Sequence, residues 1–433
     1  RKRVNHHITT IDGIDPFSNR IDAILAEIAF SVQLPPSLHD KAVGRYDAVR
    51  KHLEATSSSF CGQIEHFYPQ GSMAIDATIS NRGTDDEYDL DIVAQLGDEF
   101  LAKSPNYILT ELEKALIGYR GLSVARQTRC VTIYYADNMH LDITPSLRDR
   151  GTPERQSVIM HARGPKDSPE DSDVPMNAYG FIEWYKEKTP IERRVVEAFS
   201  ARWKIAQDRA MAEADVDPVP VQTQFVVKNT ATLVLQLLKR YRNIRYANRT
   251  GRMPPSVLIS YYCAMAASQG SSLTELLLRV SRNIIADISN ASLYDRLLHI
   301  SNPVYAKDVF TDRWPANIDQ QDRFAADLRE LVRGLEAALS GNMLATQLQD
   351  WLREMFGDPL FERQGQAMIP TPLARGIIEP VRRSLRNLEV TLNQVARFDP
   401  ATSPAKFTIG VRDVLAPDGL FVFETQYGVD VTE

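Results

Sequence analysis

The stretch Gly71-Ser72-Met73-Ala74-Ile75-Asp76-Ala77-Thr78, followed by Glu87-Tyr88-Asp89-Leu90-Asp91-Ile92-Val93, decides the fold. An apolar run, Ile64 to Pro69, precedes it and reads as a strand. Gly71 and Ser72 then turn into a helix start, with Ser72 in the N-cap position. A helix start offers free N–H groups and a positive dipole end to an anion, so this segment reads as a phosphate grip. Asp89 and Asp91 are separated by one residue, and alternate residues of a strand share a face. Both carboxylates then point one way, while Leu90, Ile92, Ala94 and Leu96 point into a core. Two carboxylates on one face repel unless a cation lies between them, and an all-oxygen donor set suits Mg²⁺. A phosphate grip beside such a site suggests nucleotide chemistry.

Outward from this segment, Arg129–Ala136 and Met139–Ser146 alternate apolar and polar residues across Asp137-Asn138, the pattern of a hairpin. Met139, Leu141 and Ile143 face one way. His140, Asp142 and Thr144 face the other, which adds a third carboxylate on a polar strand face. Residues 18–34, about 37–60 and 105–119 have helical spacing of apolar residues, with Pro35-Pro36 ending the first and Pro105 opening the third. The mixed sheet with helices on it makes the class α/β. Residues 163–176 read as a polar, Pro-rich loop, followed by a helix from Phe181 to Lys188. Residues 205–220, ending in Pro218-Val219-Pro220, read as a connection between two domains, 1–205 and 206–433. The second is mainly helical to about residue 397, and the tail from Phe407 carries a short strand or two.

From Pro218 to Thr274 no acidic residue occurs, while Lys228, Lys239, Arg240, Arg242, Arg245, Arg249 and Arg252 do. A one-sign span in an acidic chain suggests an anion-facing surface. On the helix predicted at 228–243, Leu233, Val234, Leu237, Leu238 and Tyr241 form the buried stripe. Lys228, Thr232, Gln236, Lys239 and Asn243 lie opposite. Pro254-Pro255-Ser256 opens the next helix.

The whole chain reads as an ordinary soluble globular protein. It has 433 residues, 43% hydrophobic and 24% charged, with a formal net charge of −6. That balance argues against a nucleic-acid coat protein, which is basic. Cys61, Cys130 and Cys263 are far apart, so neither a zinc ribbon nor a disulfide framework is indicated, and a reducing cytoplasm fits. Arg1-Lys2-Arg3 is followed by no apolar segment of the kind a signal peptide carries, and no run reaches the length that spans a bilayer.

Four stretches together resemble the polymerase-beta-like nucleotidyltransferases and, within them, the bacterial cGAS/DncV-like nucleotidyltransferases, the CD-NTases. They are Tyr68-Pro69-Gln70-Gly71-Ser72, Tyr88-Asp89-Leu90-Asp91-Ile92-Val93, His140-Leu141-Asp142-Ile143-Thr144-Pro145, and Leu237-Leu238-Lys239-Arg240-Tyr241-Arg242 with Pro255-Ser256. The resemblance implies a nucleotidyltransferase core, a mixed sheet flanked by helices, plus a C-terminal helical lobe, with the active site in the cleft between them. It implies that Asp89, Asp91 and Asp142 are catalytic and hold two Mg²⁺ ions, for which Mn²⁺ can substitute. Gln70, Gly71 and Ser72 would bind nucleotide, with Lys239 and Ser256 holding the donor triphosphate. Asn177 would border the nucleotide pocket and touch a base. The family joins nucleoside triphosphates, ATP or GTP, into cyclic di- or trinucleotide second messengers in antiphage (CBASS) signalling, without a template. Regulatory partner proteins and a separate effector that binds the product go with that activity. Some members are attached through a C-terminal glycine pair; this chain ends Val431-Thr432-Glu433, so such attachment is not expected.

Each residue also has a plainer reading. Gly-Ser is commonly a turn, Asp85-Asp86-Glu87 a solvated loop, His140 a strand-surface residue, Ser256 a helix-start residue and the basic run an exposed helix face. Asn177 suits a helix N-cap as well as a base contact, since a helix follows it. A linear RNA-end polymerase of the poly(A) or CCA-adding kind is the alternative activity, disfavoured by the absence of a long basic track. A non-catalytic scaffold is disfavoured by the intact carboxylate triad.

Overall fold

Period-two alternation builds the sheet at the centre of this computed structural model, which describes residues 19–33, 36–55, 57–79, 88–148, 151, 156–195, 229–357, 361–364 and 367–370. The elements run α1 (Arg20–Ser31), α2 (Pro36–Leu53), β1 (Ile64–Pro69), α3 (Gly71–Ala74), β2 (Tyr88–Leu96), α4 (Pro105–Leu116), β3 (Ser123–Arg126), β4 (Val131–Tyr134), β5 (Met139–Arg148), β6 (Ser157–His161), β7 (Ser172–Met176) and α5 (Ala178–Lys188). Then follow α6 (Thr230–Tyr246), α7 (Ser256–Ala266), α8 (Leu273–Leu293), β8 (Ser301–Asn302), β9 (Tyr305–Val309), α9 (Ile318–Leu339), α10 (Ala345–Phe356), β10 (Phe361–Gln364) and β11 (Ala367–Pro370).

The sheet has seven strands in the order β1-β2-β5-β4-β3, with β6 on β5 and β7 on β6. Only β2 and β5 pair in parallel; the other pairs are antiparallel. The chain reaches β5 from β2 through α4, the helical crossover that a parallel pair requires. Leu90, Ile92, Ala94 and Leu96 of β2 and Met139, Leu141 and Ile143 of β5 are all buried, against Val49 and Leu53 of α2 and Ile108, Leu109, Leu112 and Leu116 of α4. Each large side chain so buried contributes about 1.5–3 kcal/mol. Ser104 caps α4 by accepting a hydrogen bond from the Tyr107 amide (3.2 Å), and Pro105 takes the first helical position, where its missing N–H costs nothing.

Four expectations are corrected. The second helix ends at Leu53, not near 60; Phe60 enters the core from a run of turns. The segment 163–176 is not wholly a loop, because Ser172–Met176 pairs with β6. Gln70, not Ser72, is the N-cap of α3, and Ser72 is its second residue. The β4–β5 hairpin turns over three residues, Ala136 to Asn138, rather than over Asp137-Asn138. Asn138 takes the left-handed conformation (φ 59°), which asparagine tolerates. The added turn residue, Ala136, sets the register, because a slip of one would turn every side chain to the other face.

Residues 1–374 form one compact unit, and a second, 375–433, lies outside the described residues. The expected boundary at 205/206 and the tail strands also lie outside them. In the first unit α6, α7, α8 and α9 pack as a helical lobe, joined by α1. The Asp22 carboxylate of α1 accepts from the Thr274 amide at the start of α8 (2.7 Å). Ser272 and Glu275 form a full capping box there.

Candidate active site

Asp91 stands opposite Asp142 in the parallel β2–β5 pair, with Asp89 opposite His140. Neighbouring strands lie about 4.8 Å apart, so the Asp91 and Asp142 carboxylates issue from adjacent points of one face. Burial pushes the Asp91 carboxyl up to about 8, with the Asp89 and Asp142 charges adding to the rise and Lys239 opposing it. Asp89 is the most open of the three, its side chain 58% exposed and 3.7 Å from His140 Nδ1. His140 is otherwise packed edge-on to Tyr134, a strand-surface setting.

Gly71 shows why this turn needs glycine. It takes a positive φ (62°), and a Cβ there would lie 2.3 Å from Asp91 Oδ2. The same turn is tied to β2 by the Gln70 amide, which donates to the Asp91 carbonyl (2.8 Å), and to β5 by Gln70 Nε2, which donates to Thr144 Oγ1 (3.3 Å). The Ser72 carbonyl accepts from the Ala77 amide, while the Ser72 hydroxyl makes no hydrogen bond among the described residues.

The polar face of α6 closes on this turn. Lys239, 5% exposed, donates to the Ala77 carbonyl (2.9 Å), and Gln236 donates to the Thr78 carbonyl (3.1 Å). Thr232 meets the Tyr185 hydroxyl (3.2 Å). The face opposite the apolar stripe is therefore buried against the Gly71–Thr78 segment and α5. Ser256 opens α7, which packs against α3.

Arg240, Arg242, Arg245 and Arg249 are engaged inside the helical lobe rather than on the expected anion-facing surface. Arg240 Nε donates to the Phe356 carbonyl at the end of α10 (3.0 Å). Arg245 and Arg249 reach Asp327 of α9, and Arg245 also reaches Glu330 and Glu354. Arg242 is buried, and burial pulls its guanidinium down to about 10; it donates to the Pro254 carbonyl (2.8 Å) and to Ser256 Oγ (3.0 Å). Acidic partners from distant sequence neutralise Arg245 and Arg249, while main-chain carbonyls accept from Arg240 and Arg242. Lys239 is left facing the carboxylates.

Asn177 is the N-cap of α5. Its side chain is buried and accepts from the Gly180 amide (2.9 Å), so the cap is the role the geometry displays. Asp308 accepts from its main-chain amide (2.9 Å) and from Asn302 (2.9 Å).

Two participants escape sequence reasoning. Thr132 donates to Asp142 Oδ1 (2.5 Å), which orients that carboxylate. Its partnership follows from the hairpin register, which a three-residue turn alone would have revealed. Arg242 fixes the Ser256 hydroxyl as an acceptor, so its own proton points elsewhere; an arginine inside an apolar stripe was the available signal. Burial, reinforced by Asp142 and Asp91, raises the Cys130 thiol and keeps it protonated.

The donor set suits a hard dication: oxygen ligands only, and a buried carboxyl whose proton affinity is raised by like charges that a cation would offset. Among the described residues no group of three His, Cys, Asp or Glu side chains yet forms a metal cage.

Comparison with known proteins extends from the sheet through the helical lobe. The model of the Second Messenger Oligonucleotide or Dinucleotide Synthetase domain matches residues 21–158. The cyclic dinucleotide synthase CdnG of Bradyrhizobium diazoefficiens is 48% identical over 353 residues, 82% of this chain and 84% of its own. The solved structure of that organism's CD-NTase CdnG in complex with GTP superposes with a TM-score of 0.71 at 44% identity, covering 84% of this chain and 99% of that one. The structure of CdnC with ATP from E. coli MS115-1 agrees in fold alone, at 17% identity and a TM-score of 0.51 over 79% of this chain and 98% of that one. The class is thus that of nucleotidyltransferases built on a mixed sheet with a helical lobe. Within it, this chain belongs to the bacterial CD-NTase family.

Proposed function

We propose that the chain joins nucleoside triphosphates, without a template, into a cyclic di- or trinucleotide and releases pyrophosphate. The product would serve as a second messenger in antiphage signalling, read by a separate effector, with regulatory proteins acting on the synthase. The observation that carries the reading is the facing Asp91–Asp142 pair beside the Gly71–Ser72 turn. GTP in the solved structure of the CdnG relative supports a nucleoside triphosphate as substrate.

Asp89, Asp91 and Asp142 would hold two Mg²⁺ ions. Bound there, the ions supply neutralisation of phosphate charge and ease loss of the attacking hydroxyl's proton. The chain's own groups supply the rest. Gly71 lets the Asp91 carboxylate lie against the turn, and the Ser72 hydroxyl, which makes no hydrogen bond among the described residues, would donate to a phosphate there. Lys239 would turn from the Ala77 carbonyl to the triphosphate, and Ser256, fixed by Arg242, would donate its proton to the same group. Asp142, oriented by Thr132, would lie nearest the proton of the attacking hydroxyl. Asn177 would act on base choice through the position of α5.

Incubating the chain with labelled GTP, ATP and Mg²⁺ tests this. A phosphatase-resistant oligonucleotide is the expected product. A phosphatase-sensitive ladder would favour the linear RNA-end reading, and no product would remove both.

A further inference from the structure

A row of polar side chains crosses the carboxylate face of the sheet. Pro69 stands opposite Ile92, and the Gln70 amide continues that ladder by donating to the Asp91 carbonyl (2.8 Å). Residues directly opposite in a strand pair share a face. Gln70 at the end of β1, Asp91 on β2, Asp142 on β5 and Thr132 on β4 therefore stand in line. Thr132 orients Asp142 from one end of the row (2.5 Å). Gln70, half-buried, stands at the other end.

Gln70 is the N-cap of α3, yet its side chain accepts nothing from that helix. Caps favour the shorter serine, threonine, aspartate and asparagine. The longer side chain runs across the sheet instead. Its Nε2 donates to Thr144 Oγ1 on β5 (3.3 Å), with β2 lying between. Strands are about 4.8 Å apart, so this bond joins main chains roughly 10 Å from each other. Thr144 stands opposite Val93, the next residue after Asp91 on that face of β2. The strap thus crosses β2 between Asp91 and Val93. Val93 is buried with Tyr68, Ile159 and Met176, which gives the strap a packed floor. Thr144 is 6% exposed and has no other side-chain hydrogen bond among the described residues. Without Gln70 its hydroxyl would be left buried and unpaired, which is costly.

Gly71 and Ser72 follow Gln70 directly. Asp91 Oδ2 lies so close to Gly71 that a Cβ there would be 2.3 Å from it. A turn free to shift would displace that carboxylate or withdraw Ser72, and loss of attack geometry costs rate. We propose that the Gln70–Thr144 strap holds the Gly71–Ser72 turn against Asp91, so that Gln70 is a positioning residue and not a nucleotide ligand. This rests on the reading that the turn and the carboxylates join nucleoside triphosphates. Ser72, Lys239 and Ser256 remain to hold the triphosphate when the strap is cut, so rate falls while affinity holds.

The test compares Gln70→Met and Thr144→Val, which cut the strap from either end at similar size, with the double variant and with Thr144→Ser. Product formation from GTP with Mg²⁺ gives kcat and KM, and calorimetry gives the fraction of chains that bind GTP. Each single variant should lose about tenfold in kcat, the effect of one hydrogen bond whose buried partner is stranded, with KM changed less than about twofold. The double variant should fall no further, because both changes break the same bond. Thr144→Ser should keep the wild-type rate, and the binding fraction should equal that of wild type throughout. A binding fraction that falls in step with kcat would make the strap a folding contact and overturn the proposal. A KM raised in Gln70→Met alone would make Gln70 a nucleotide ligand, and losses that multiply in the double variant would show that the two residues do not act together; either overturns the strap while leaving the joining reaction in place. A wild type that joins no nucleotides overturns the functional reading and the strap's role with it.

Discussion

At the scale of single residues, Asp91 concentrates the cost of the site. Its carboxyl is raised to about 8 by burial and by Asp89 and Asp142, against an unfolded value near 3.9. A carboxyl raised in the folded state binds protons there that the unfolded chain has released. Its contribution to stability is therefore full below about pH 4 and is lost as pH rises through about 8. In EDTA, Asp91→Asn should melt at a higher temperature than wild type at pH 8, with the gap closing toward pH 5, while making no product. A variant less stable than wild type at pH 8 would show that the carboxylates do not repel in the folded chain. Asn177 gives a second test. Asn177→Ser retains a capping oxygen, so the melting temperature should hardly move. A cap role leaves the ratio of products from four competing nucleotides unchanged; a shifted ratio at normal rate would show base contact.

At the scale of elements, α6 separates binding from scaffolding along one helix. Lys239 faces the carboxylates, whereas Arg249, just past the C-terminal end of α6, is paired with Asp327 at 2.6 Å. Lys239→Ala should weaken nucleotide binding at least tenfold by calorimetry, since a charge-assisted contact is worth about 1.5–3 kcal/mol. Arg249→Ala should bind as wild type but melt lower, because it removes a partner of the buried Asp327 carboxylate. Equal affinities would place Lys239 outside the nucleotide site. These elements also show what a sequence can convey. The carboxylate faces of β2 and β5 were legible because strand alternation is local, and Leu90, Ile92, Leu141 and Ile143 announce the buried side. The fate of the basic span was not, because its partners Asp327, Glu330 and Glu354 lie 82 to 109 residues from Arg245. The Thr132–Asp142 bond was hidden by one turn residue, Ala136, which joins Asp137 and Asn138 in the turn and shifts the hairpin register by one.

At the scale of the whole molecule, a sheet lobe and a helical lobe are joined by Lys239 and Gln236 reaching the main chain of the Gly71–Thr78 turn. Nucleotide phosphate would replace the Ala77 carbonyl as the partner of Lys239, so binding and lobe contact share one side chain. None of the helices among the described residues is long and apolar enough to cross a membrane. Nucleotide with Mg²⁺ should raise the melting temperature of wild type, because a ligand that binds only the folded chain stabilises it by mass action. The rise should be much smaller in Lys239→Ala; an equal rise would detach that lysine from the ligand. The central claim is that the facing carboxylates close a ring of nucleotides. Mass spectrometry of the product formed from unlabelled GTP and ATP with Mg²⁺ tests it most directly. The account predicts a mass lacking any terminal phosphate or free end, absent from Asp142→Asn; a product carrying a 5′-triphosphate and a free 3′ end as the final species would contradict it.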